Sequence, residues 1–308
     1  MVRFTIAFVL LFTACAAMPV LNAQDPALLE KAKQGDAAAQ YKLGKYYSSE
    51  YLKALNEKKT KNEKKQAEIM KWIRKSAEQG YARAQFELGV YYQIGFCVEE
   101  DMNEAAKWFR KAAEQGLAEA QYTLGRLYYE GDGVQKNLVE AVKWFRKAAL
   151  QGDKEAQFFL GMCYDNGEGV KKNIAEAVKW YRKSADQGGA DAQCNLACCY
   201  RDGQGVKQDL SEAMKWFREA ADQGNARAQF GLGCCYLFGE NVEIDYVEAV
   251  KWLRKSADQG FPDAQYTLGV CYEHGKGVQK NSAEAVKWYS RAAAQENEAA
   301  KKALLKIR

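Results

Sequence analysis

The sequence predicts an all-α protein built as a solenoid of seven stacked helix-hairpin repeats, each 36 residues long. Three observations carry that prediction. The seven tryptophans, Trp72, Trp108, Trp144, Trp180, Trp216, Trp252 and Trp288, each lie 36 positions after the last, and none falls outside the series. Gln85, Gln121, Gln157, Gln193, Gln229 and Gln265 keep the same step, as do the tyrosines from Tyr92 to Tyr272. Glycines separate two apolar faces of helical period within a unit. A fixed period in the thirties is the mark of helix pairs that cannot bury their apolar faces alone and stack to do so.

Taken in order, the chain opens on a targeting segment. Arg3 precedes an apolar run from Phe4 to Phe12, and small residues follow at Thr13 to Ala17. This reads as a secretory signal over residues 1–23 with cleavage after Ala23, too short to span a bilayer. The stretch Phe12-Thr13-Ala14-Cys15 also matches a lipoprotein box, so a lipid anchor at Cys15 stands as the alternative. No later stretch is apolar enough for a transmembrane span. Residues 24–36, with Pro26 to Lys33 as a lone helix of the second type, form an N-terminal cap. Residues 37–295 hold the seven repeats. Residues 296–308, with Glu298 to Ile307 as a helix of the first type, form a C-terminal cap that shields the last apolar face.

The unit from Leu117 to Gly152 shows the design. Ala120, Leu124 and Tyr128 recur at i, i+4 and i+8, one face of a first helix, here called helix A. Gly131-Asp132-Gly133-Val134 then stops it. Leu138, Ala141, Val142, Trp144, Phe145, Ala148 and Ala149 form the apolar face of helix B, with Glu140, Lys143, Arg146 and Lys147 opposite. Gln151-Gly152 ends it. A glycine inside helix A recurs at Gly44, Gly89, Gly125, Gly161, Gly233 and Gly269, with Ala197 in its place once. Glycine costs about 1 kcal/mol against alanine there, so a ring or backbone is expected to pack on it. Gly-x-Gly turns become Gly95-Phe96-Cys97 and Gly239-Glu240-Asn241 in two repeats. Gln40 and Gln85 are 45 residues apart, so the first repeat carries nine extra residues between its helices, near 49–65. Lys58, Lys59, Lys61, Lys64 and Lys65 lie there with Glu57 and Glu63. Two longer helices or a loop is the plain expectation, and a contact arm for an acidic partner the sharper one.

The pattern A-x-A-Q-x-x-L-G-x-x-Y-x-x-G-x-G-V, followed by E-A-x-K-W-[FY]-R-K-A-A-x-Q-G, resembles the Sel-one-like repeat, a relative of the tetratricopeptide repeat. The resemblance covers nearly all of the chain after residue 36. It implies a right-handed α/α superhelix that serves as a scaffold or adaptor for protein complexes. It also implies export and envelope or host-facing contacts, since bacterial members often have them. Cysteine-rich relatives imply a competing class, an envelope enzyme acting on cell-wall or β-lactam substrates.

The residues themselves point away from catalysis. The single histidine, His274, follows Cys271 by three positions, but no second ligand pair has similar spacing, so no metal or cofactor is expected. Gly-x-Gly-Val ends a helix rather than opening one, which excludes a phosphate-binding loop. A net charge of +5, spread along the chain, is too weak to argue for nucleic acid. Cys163, Cys199, Cys235 and Cys271 share one column, and Cys198 and Cys234 the column before it. They read as small packing residues, with bridges such as Cys198–Cys235 or Cys199–Cys234 as the alternative. On helix B, Lys71 through Lys287 precede each Trp and Arg74 through Arg254 follow. This basic row reads as a solvated face, with recognition of an anionic envelope polymer as the sharper reading.

A protein or peptide partner is expected on helix A. Counted from the repeat glutamine, positions +2, +5 and +8 differ most between repeats and fall near one helix face. The candidate stripe comprises Arg126 and Tyr129; Phe159, Met162 and Asp165; Asn195 and Arg201; Leu237; and Thr267, Val270 and Glu273. In tetratricopeptide-like arrays helix A lines the concave side, so these residues are expected to face the groove, with Phe159, Met162, Leu237 and Val270 as an exposed apolar strip.

Overall fold

The computed structural model describes residues 26–56 and 62–307. The predicted signal, Cys15, and Glu57, Lys58, Lys59 and Lys61 of the insertion lie outside the described residues. Those described form sixteen helices and no strand: α1 (Pro26–Lys33), α2 (Ala37–Asn56), α3 (Glu63–Glu78), α4 (Ala82–Ile94), α5 (Met102–Glu114), α6 (Ala118–Glu130), α7 (Leu138–Leu150), α8 (Lys154–Asn166), α9 (Ile174–Asp186), α10 (Ala190–Asp202), α11 (Leu210–Asp222), α12 (Ala226–Phe238), α13 (Tyr246–Asp258), α14 (Pro262–His274), α15 (Ser282–Ala293) and α16 (Glu298–Ile307). They fall into two compact units, divided after Asp153. None is long and apolar enough to cross a membrane.

Local sequence sets the ends of each helix. Helices B start on an Asn or Asp whose side chain accepts from backbone N–H groups of the first turn: Asn62, Asp101, Asn137, Asn173, Asp209, Asp245 and Asn281. Such caps stabilise a helix start by about 1 kcal/mol each. A glutamate three residues later also favours the positive end of the helix dipole, as Glu104 and Glu140 do. Helices A stop on a glycine in the left-handed region, as at Gly131, φ 82°. Gly133 has a second reason to be glycine: a Cβ there would sit 2.2 Å from the carbonyl oxygen of Met102. The departures hold the same backbone without glycine, Cys97 at φ 61° and Asn241 at φ 58°. Asn tolerates that region and Cys is strained in it.

The glycine column has the predicted cause. A Cβ at Gly125 would lie 2.6 Å from the Phe145 ring, at Gly161 2.6 Å from Tyr181, and at Gly269 2.6 Å from Tyr289. In these repeats helix B thereby seats its aromatic directly on helix A of the same repeat, and at Gly44 and Gly233 an aliphatic side chain, Ile73 or Leu253, takes the ring's place. Where Ala197 replaces the glycine, its hairpin partner Phe217 packs on Gly231 of the next helix A, where a Cβ would meet the ring at 2.7 Å.

The insertion of the first repeat lengthens its helices: α2 runs for 20 residues and α3 for 16, against 13 in α4 and α5. In the first unit α1 lays Leu28 and Ala32 against Ala39, Leu43 and Trp72, and consecutive helices from α1 to α7 pack in turn. In the second unit consecutive helices from α8 to α16 do the same, and α16 buries Ala300 against Ala285, Tyr289 and Ala292.

Candidate functional site

What positions helix A is a set of side chains shared with helix B. In the second unit Gln193 donates its amide to the carbonyl of Ala185 at 3.2 Å, so it reaches back to the preceding helix B. Its own carbonyl oxygen accepts from Gln223, at the end of the following helix B, at 2.7 Å. The same pair of bonds is made at Gln229 and Gln265, and in the first unit at Gln85 and Gln121. One buried amide thus ties a helix A to the helices on both sides, with donor and acceptor both satisfied.

A second set lies near the surface. Arg218 of α11 donates to the hydroxyl of Tyr236 on α12 and stacks on its ring, 5.9 Å from the centroid. Arg182 with Tyr200 and Arg254 with Tyr272 repeat this, and Arg110 with Tyr128 does so in the first unit. The basic row read from sequence therefore divides. Its arginines bridge one repeat to the next, and only its lysines are the solvated face expected of the whole row. Each lysine pairs with the glutamate three residues before it in the cases of Lys143 with Glu140, 2.6 Å, and Lys251 with Glu248, 2.8 Å. Glu248 also accepts from the Trp252 indole at 3.0 Å, as Glu176 does from Trp180 and Glu212 from Trp216, whereas the Trp144 indole N–H has no partner.

The candidate stripe is not one kind of surface. In the first unit Arg126 is exposed and paired with Glu130 at 2.6 Å, and Tyr129 is half-buried. In the first two repeats the stripe is mixed: Lys42 is exposed and Val90 and Gln93 are half-buried, whereas Lys45 and Glu87 form an ion pair at 2.7 Å with side chains only 5% and 9% exposed, and Ser48 bonds Tyr91 at 2.6 Å. In the second unit Phe159, Met162, Asp165, Asn195, Arg201, Thr267, Val270 and Glu273 are half-buried. Four of them are engaged: Asp165 accepts from the Tyr181 hydroxyl at 3.2 Å, Glu273 from Tyr289 at 2.5 Å and Asn195 from Arg227 at 2.8 Å, and Arg201 pairs with Asp202 at 2.7 Å. Leu237 departs from expectation. It is 6% exposed and packs with Leu253, Leu268 and Cys271, so it belongs to the core and not to an accessible strip. Its place at the last turn of α12 points it at the following hairpin.

The cysteines separate in the same way. All eight of the described cysteines are free thiols. Cys163, Cys199, Cys235 and Cys271 are buried, and burial pushes their thiols up to about 11 or 12. Burial likewise pushes the half-buried Cys234 up to about 12. Cys198 alone among the described thiols is pushed the other way, by a hydrogen bond from Cys194 and by Arg227 and Arg201, against burial and Asp202. His274 is exposed at the end of α14.

Sequence reasoning missed Arg227. It lies on α12 outside the stripe positions, yet its guanidinium donates to Asn195 Oδ1 at 2.8 Å and to Cys198 Sγ at 3.5 Å. It also missed the Asn/Asp caps, whose 36-residue step was visible from Asp101 to Asn281.

Comparison with known proteins follows the repeat boundaries. The family model described as Sel1 repeat matches residues 37–59, 70–81, 82–117, 118–153, 154–189, 190–225, 226–261 and 262–297. The first two matches leave a gap at 60–69 between them and together make the interrupted first repeat. The chain is similar to a protective antigen, c5321, present in uropathogenic Escherichia coli strains and displaying an SLR fold, at 36% identity and a TM-score of 0.79 over 93% of this chain. It spans 59% of the length of that protein. It is also similar to a Sel1 repeat protein from Oxalobacter formigenes, at 33% identity and a TM-score of 0.69, over 80% of this chain and 96% of the other. A search of curated proteins gave no match.

Proposed function

The chain belongs to the Sel1 repeat family, and from that premise we propose that it is an exported protein-binding scaffold that holds a partner on its A helices. Repeats of this family mediate protein interactions; export and the binding face are our reading. Residues 1–23 direct export, by cleavage after Ala23 or by lipidation at Cys15. The binding face is the stripe of the second unit, where Phe159, Met162 and Val270 present apolar side chains among Asn195, Arg201 and Thr267. Arg126 and Tyr129 offer a separate contact on the first unit.

One observation carries this reading. Phe159, Met162 and Val270 stay partly exposed while the packing columns beside them, Ala156, Leu160, Ala264 and Leu268, are wholly buried. Partly exposed apolar groups ringed by polar ones are where binding energy concentrates. The partner class is a protein or peptide segment with apolar anchors.

Capture from native envelope, comparing the wild-type chain with Phe159→Ser/Val270→Ser, tests it. The double variant should stay folded, with its stability lowered by about 2 kcal/mol at most, and lose a partner that the wild type retains. Undiminished capture by a folded variant rejects the stripe. The sign of export is the mass of the native protein, which should lack residues 1–23 or carry a lipid on Cys15; an intact start rejects export.

A further inference from the structure

Cys194 and Cys198 lie one turn apart on α10. Cys194 is buried and Cys198 half-buried, on the stripe face. The neighbouring helix α12 supplies Arg227, whose guanidinium is held by two acceptors at once. One nitrogen donates to Asn195 Oδ1 at 2.8 Å and the other to Cys198 Sγ at 3.5 Å. Asn195 therefore fixes the cation against the sulfur. A turn later Arg201 is locked by a two-pronged pair with Asp202, at 2.7 and 3.0 Å. Cys198 thus has the Cys194 thiol one turn before it on its own helix, a guanidinium against its sulfur from the next helix A, and partial exposure. Partly exposed cysteines in electropositive surroundings are the reactive ones, while buried cysteines in apolar surroundings are inert.

We propose that Cys198 is a covalent modification site that takes low-molecular-weight disulfides, RS–SR, at the surface of the second unit. The Cys198 thiolate attacks one sulfur of the disulfide. A Cys198–S–S–R bond forms, the RS–SR bond breaks, and RS⁻ leaves with the electron pair and takes a proton from water. The protein thiol is oxidised and half of the small disulfide is reduced. Cys194 is not poised to expel the second RS group. Cys194 is buried, and burial alone disfavours its thiolate once Cys198 is capped, so it is a poor attacker and the mixed disulfide persists. Cys194 acts as a positioning donor, Arg227 as the counter-charge. The cysteines of the core column share none of this.

The chemistry does not depend on what docks on the stripe, so its failure leaves the scaffold reading standing. The reduced full chain is mixed with 5,5′-dithiobis(2-nitrobenzoate), and release of the coloured thiolate is followed from pH 5 to 8. Peptide mass mapping identifies the modified residue. Cys198 should react about 10-fold or more faster than Cys234, which occupies the same column on the next helix A and is also half-buried. Cys198→Ser should remove the fast phase alone. Arg227→Gln should slow it and move its pH midpoint upward while the helical signal is kept. Equal rates at Cys198 and Cys234 in the wild-type chain overturn the proposal, as does a fast phase that survives in Cys198→Ser.

Discussion

The first and fifth repeats put the same position of helix A to opposite uses. Five residues after the repeat glutamine stand Lys45 in one and Cys198 in the other. Both meet a charged side chain from the next helix A. Lys45 meets Glu87, and the pair is sealed from solvent by the packing around Tyr91. Cys198 meets Arg227, and the pair stays open on one side. The same column therefore does not decide exposure by itself. The first repeat has longer helices, α2 of 20 residues against 13 in α10, and Tyr51 of that extra length packs in the cluster that holds Tyr91. The complementary charges there are closed in, while the thiol beside an arginine stays partly open.

The contrast breaks first at the buried pair. Glu87→Ala leaves the Lys45 ammonium without its counter-charge, and should cost about 3–5 kcal/mol in urea unfolding. Replacing both, as Lys45→Met with Glu87→Leu, should restore most of that, because a buried ion pair is stabilising mainly relative to its broken form. A single change that costs less than about 1 kcal/mol would show the pair to be solvated and the two repeats alike.

The next effect sharpens the comparison inside the second unit. Leu237→Ser should cost about 2–4 kcal/mol, the loss expected on emptying a closed core site. Phe159→Ser should cost about 1 kcal/mol or less, since its ring already meets solvent. Thermal or urea melts of the two variants decide this, and equal losses would put Phe159 in the core as well.

The smallest effect lies on helix B. Lys143 and Glu140 are an exposed pair, 61% and 35% accessible. Lys143→Ala should change stability by about 0.5 kcal/mol or less and should lose even that in high salt. A larger, salt-resistant loss would mean that the lysine row, like the arginine row, ties repeats together.

The fold was legible because packing repeats. The Trp, Gly and Gln columns recur at one step, and the ring seated on Gly125 or Gly161 is what a small residue recurring inside a helix implies. The stripe was less legible for the reverse reason. It was read from positions that differ between repeats, on the premise that structure leaves them free. Gly231 differs because Phe217 needs its space, Leu237 because the next hairpin closes over it, and Glu87 because Lys45 faces it. Each is a local packing solution found once, which a periodic reading cannot distinguish from tolerance. Arg227 was invisible for another reason: its role depends on two acceptors 32 and 29 residues earlier, brought close only by stacking.

The glutamine amides have a consequence for how such a chain changes its length. Gln193, Gln229 and Gln265 each take an acceptor from behind and offer one ahead, with the same atoms at the same spacing. Excision of residues 190–225 would bring Ala226 directly after Gly189, a junction that again joins a hairpin to its successor. Gln229 would then find Ala185 where it had Ala221, and every remaining amide would stay satisfied. Copy number is therefore a quantity that gene duplication and unequal recombination can alter in whole steps with the amide ladder intact, although at this seam Gly231 would lose the Phe217 ring that fills its space. What an excision removes is whatever a single copy holds alone, and here that is the thiol pair of α10.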